Sequence, residues 1–129
     1  NIIQQESNIN KTFLKEWLNF CYRNQRDAIV DWVDQVAGEG REKQKNFIKY
    51  IQFILRESMI SSYANVENLK RVAGAEKNLS ETLGKFLSFG KIEVFYEKLT
   101  DAFYHIERNA NPKILFMNLS LELVKLLRK

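Results

Sequence analysis

Apolar residues recur at three- and four-residue spacing along most of this chain, the period of an amphipathic helix and not the alternation of a half-buried strand. The first stripe is Phe13, Leu14, Trp17, Leu18 and Cys21, which predicts a helix with Asn10 or Thr12 as its cap. Asn24 and Gln25 interrupt it. A second stripe of Ile29, Trp32, Val33 and Val36 ends at Gly38 and Gly40, where glycine can close a helix, so these two helices are expected to pair as an antiparallel hairpin. From Arg41 a longer helix is predicted to about Tyr63. Phe47, Ile51, Ile54 and Ser58 set its core side, Ile48 and Leu55 flank it, and it is expected to be the longest element.

Periodicity weakens over residues 64–77, which contain Gly74 and read as a connection with one helical turn. A fourth helix is predicted over residues 79–89, with Ser80 as cap, Leu83, Phe86 and Leu87 inward, and Gly90 as its stop. A fifth, over residues 91–109, aligns Ile92, Phe95, Leu99, Phe103 and Ile106 on one face. Asn111 followed by Pro112 is a start signal, because asparagine caps and proline is tolerated in the first helical position; the last helix then runs to near Arg128. A single proline and five glycines leave little punctuation for short strands. The expected fold is all-α, a bundle of five to six helices in one domain over residues 1–129, with no internal repeat.

The last helix has more apolar surface than one neighbour can cover. At about 100° per residue, Asn118, Glu122, Lys125 and Lys129 form a narrow polar stripe. Leu115, Phe116, Met117, Leu119, Leu121, Leu123, Val124, Leu126 and Leu127 span the other roughly 240°, against the somewhat more than 100° that a surface helix needs. Such a helix either runs through the middle of the bundle or buries a second face against another chain. Its terminal position favours the second arrangement, with Leu115, Leu119 and Leu126 on one candidate interface flank and Met117, Leu121 and Val124 on the other.

Composition narrows the class without naming a function. With 129 residues, 45% hydrophobic and 28% charged, the chain has what one globular core requires. The net charge of +4 is compatible with nucleic acid or an acidic partner, but the cations are dispersed, as on a solvated surface. One cysteine, Cys21, cannot make an internal disulfide, which suits a reducing cytoplasm. No apolar run reaches the roughly 18 residues of a membrane span, and the polar opening lacks a signal pattern, so a cytoplasmic protein without membrane contact is expected. Because it opens on Asn1 instead of methionine, the chain is expected to be a fragment or a processed product.

Candidate chemistry is sparse. Asp27, Asp31 and Asp34 share a side of the second helix, yet hard cations want more oxygen ligands than three aspartates on a rigid helix supply, so they read as a solvated acidic face. The run Ala28-Ile29-Val30-Asp31 superficially resembles a nucleotide-site strand, but no G-x-x-x-x-G-K-[ST] loop accompanies it. His105, the only histidine, lies four residues after Asp101 without a nucleophile beside it. Cys21 falls on an apolar face and reads as a small buried hydrophobe. No catalytic residue, metal ligand or cofactor is therefore expected. The one coherent basic stripe is Arg41, Lys45, Lys49 and Arg56, joined by Gln52 on the third helix, and it is the alternative reading of this chain as a helical nucleic-acid-binding domain. Against that, Glu42 and Glu57 lie nearby, no aromatic residue interleaves on that face of the helix, and Asp31 and Asp34 are positioned to pair with it.

Several runs together resemble the C-terminal collar region of bacterial DNA polymerase III clamp-loader subunits of the delta-prime type, in the AAA+ clamp-loader family. They are Trp17-Leu18 with Cys21-Tyr22-Arg23, Trp32-Val33, the run from Gly40 to Phe47, Arg56-Glu57, and His105-Ile106-Glu107-Arg108-Asn109-Ala110-Asn111 leading into Pro112-Lys113-Ile114-Leu115-Phe116. The resemblance implies a non-catalytic domain that packs with the C-terminal domains of other loader subunits, in a pentamer, into a collar supporting sliding-clamp loading in DNA replication. DNA and the clamp would be met only through the parent complex. Nucleotide, zinc and arginine-finger residues of that family have no matching positions here, and an N-terminal AAA+ module would lie outside this chain.

Overall fold

The computed structural model describes residues 2–64 and 87–128, and among these the chain forms five helices and no strand. They are α1 (Ile2–Arg23), α2 (Arg26–Ala37), α3 (Arg41–Ala64), α4 (Phe89–Glu107) and α5 (Pro112–Arg128). The all-α expectation holds for the described residues, and α3, at 24 residues, is the longest of their helices.

Helix ends follow local chemistry. Asn24 has φ 54°, and the Gln25 N–H donates to the Phe20 carbonyl at 3.0 Å, closing α1 with a left-handed cap. The same device ends α4: Asn109 has φ 65°, and the Ala110 N–H donates to the His105 carbonyl at 3.0 Å. Asparagine stands where glycine is commoner because its short polar side chain tolerates this backbone region. Between α2 and α3, Gly40 takes φ 98°, a conformation that side chains with a Cβ rarely adopt. Asn111 caps α5 as expected, its Oδ1 accepting from the backbone N–H of Lys113 at 3.0 Å and of Ile114 at 3.3 Å.

Two expected boundaries are corrected. Helix α1 begins at Ile2, so Asn10 and Thr12 lie inside it and do not cap it. The polar opening contains no proline or glycine, and the propensity penalty of its asparagines and serine is only a few tenths of a kcal/mol each, roughly, too little to stop propagation. Gly90 is not a stop. It is the second residue of α4, whose cap is Ser88, with the side-chain oxygen accepting from the Lys91 N–H. The rest of the predicted helix over 79–89, with Ser80, Leu83 and Phe86, and the connection over 65–77 lie outside the described residues. Leu87 is buried.

Every described helix contributes to one aromatic core. Phe13 and Trp17 come from α1, Trp32 from α2, Phe47 from α3, Phe95 from α4 and Phe116 from α5, all buried. Trp17 and Trp32 stack with centroids 4.7 Å apart and planes at 2°, a contact that ties α1 to α2. Their polar ends are satisfied: the Trp17 indole N–H donates to Ser120 Oγ at 2.8 Å, the Ser120 hydroxyl donates to the Phe116 carbonyl at 2.7 Å, and the Trp32 indole N–H donates to the Phe13 carbonyl at 3.1 Å. Buried Gln44 donates to the carbonyls of Val36 and Ala37, each at 3.1 Å, and so satisfies the open end of α2 from the first turn of α3. Helix α5 lies against α1, α2 and α4, while α3 packs on α4 and α1. Phe103, expected in the core, is only half-buried.

Candidate functional site

The structure divides the apolar arc of α5 by depth. Phe116, Leu119, Ser120, Leu123 and Val124 are buried, filling the side that faces the three neighbouring helices. Thus Leu119 and Val124, one from each candidate flank, belong to the core and not to a free surface. Their flank companions Leu115, Leu126, Met117 and Leu121 are half-buried, at the two edges of that arc. Of the two arrangements inferred from the sequence, the helix does run inside the bundle, and the edges of its apolar arc reach the surface.

One edge continues into residues that periodicity alone did not single out. Ile114 is 62% exposed and precedes Met117 and Leu121 by three and seven positions, so the three form a ridge about two turns long. Across from its head stands Val30 of α2, 43% exposed. Val30, Val33, Ile114 and Met117 line a hollow of about 320 Å³ between α2 and α5, with Asp34 and Lys113 at its rim. The Lys113 ammonium pairs with the Asp34 carboxylate at 3.3 Å across this rim. A signal for Val30 was present in the sequence, an apolar residue set among Asp27, Asp31 and Asp34 on the solvent side of its helix.

The basic stripe of α3 is a seam against α4. Arg41 donates from Nη2 to Asn109 Oδ1, and Lys45 pairs with Glu107 at 3.5 Å and with Glu42 at 3.4 Å. The Lys45 and Lys49 ammonium groups sit 5.5 and 5.2 Å from the centroid of the Phe103 ring. Gln52 donates to Thr100 Oγ1 at 2.8 Å and to the Tyr96 carbonyl at 3.3 Å. Arg56 donates to the Tyr96 hydroxyl at 2.8 Å and lies over its ring at 6.0 Å. Read upward, positions 41, 45, 49, 52 and 56 meet 109, 107, 103, 100 and 96 read downward, the register of two antiparallel helices. The stripe's own face of α3 carries no aromatic residue, as expected, and the rings it meets belong to α4. One expectation is corrected here: Asp34 pairs with Lys113 instead of with the stripe.

The remaining candidates take structural places. Asp27, Asp31 and Asp34 are exposed, and among the described residues no group of three or more His, Cys, Asp or Glu side chains could hold a metal ion. His105 is exposed beside Asp101 along the shallow groove between α4 and α5. Cys21 is fully buried, and desolvation pushes its thiol up to about 12. Its Sγ approaches the Ser120 carbonyl at 3.7 Å, the environment of an inert packing residue. No described helix is long and apolar enough to cross a membrane.

Comparison with known proteins finds no family model, curated protein or solved structure that matches the chain.

Proposed function

We propose that this chain is a non-catalytic assembly domain of a bacterial clamp loader, packing with the helical domains of other subunits into the collar that supports sliding-clamp loading during DNA replication. The observation that carries this reading is the ridge of Ile114, Met117 and Leu121, left at the surface of a helix whose inner side is already filled by three neighbours. Apolar side chains kept outward on a well-packed helix cost solubility and are retained where another surface covers them. The residue runs quoted above supply the identity of the complex, and the two most specific of them meet in space, since Arg41 of the first run contacts Asn109 of the second.

A nucleic-acid surface on the basic stripe is less well supported, because Lys45, Lys49 and Arg56 each have a partner on α4 and Arg41 has one in the turn that follows it. The test is reconstitution with the other loader subunits. The paired change Val30→Glu and Ile114→Glu, at two exposed positions, is expected to leave the isolated domain folded, with a melting temperature lowered by less than about 5 °C, and to abolish co-purification. Full assembly of the paired variant, or failure of the unaltered chain to join any loader subunit, would overturn the reading.

A further inference from the structure

We draw no further inference here: the strongest candidate, the apolar surface patch of Val30, Ile114 and Met117 at the hollow between α2 and α5, belongs to the face already read as an assembly surface, and nothing in the structure shows what covers it.

Discussion

Two helix pairs in this molecule treat their surface residues in opposite ways. Between α3 and α4, long cationic side chains fold over aromatic rings and carbonyls of the facing helix, so the polar stripe is used internally. Between α2 and α5, Val30 and Ile114 stand outward beside the Asp34–Lys113 pair, so apolar material is left at the surface. Charge on a helix face is thus a poor guide to a binding surface. Lysine and arginine have long aliphatic stems that lie along a neighbour while the charged end finds a ring or a carboxylate. A contiguous apolar ridge has no such internal outlet, and its exposure is the more informative feature.

The sharpest way to break this comparison is to truncate α5 on its two sides. Phe116→Ala, on the buried side, is expected to cost about 3–5 kcal/mol of stability, whereas Ile114→Ala on the outer side should cost well under about 1 kcal/mol. Denaturant titration of both variants measures the difference; equal losses would mean that the outer ridge is core.

A second measurement probes the core beneath both pairs. The native Cys21 thiol, raised to about 12, ionises less readily than the unfolded thiol, whose ordinary value is 9.0. The unfolded state therefore loses its proton first. This contribution to stability is complete below pH 9.0 and is lost progressively between pH 9.0 and about 12, at about 1.4 kcal/mol per pH unit. Relative to Cys21→Ala, the unaltered protein should show that additional alkaline loss in urea titrations. Identical slopes would contradict the buried-thiol assignment.

The smallest expected effect concerns the seam. Replacing Lys45 and Lys49 by methionine removes two ring contacts and one inter-helix ion pair, and should destabilise the fold by about 1 kcal/mol. Affinity for primed DNA at physiological salt should be weak before and after the change. A steep salt-dependent affinity lost in the variant would restore the stripe as a nucleic-acid surface.

Much of the architecture was legible from local pattern. The stripe of Ile29, Trp32, Val33 and Val36 located α2 because helical periodicity is a property of neighbouring residues, and Asn111-Pro112 marked the start of α5 because capping is decided within four positions. The start of α1 was not legible, since polar residues of moderate helix propensity neither begin nor forbid a helix. The breadth of the apolar arc on α5 was also present in the sequence, as was the alignment of Arg41, Lys45, Lys49 and Arg56.

What each face meets was decided only by tertiary structure. Lys49 and Phe103 are far apart along the chain, and their encounter depends on the antiparallel register of α3 and α4. Likewise Leu119 and Leu115 are neighbours on one helix face, yet one is buried and the other half-exposed, because the three surrounding helices cover part of a continuous arc and stop at an edge. Periodicity measures how much of a helix is apolar; only the placement of its neighbours determines how much of that surface remains for another molecule.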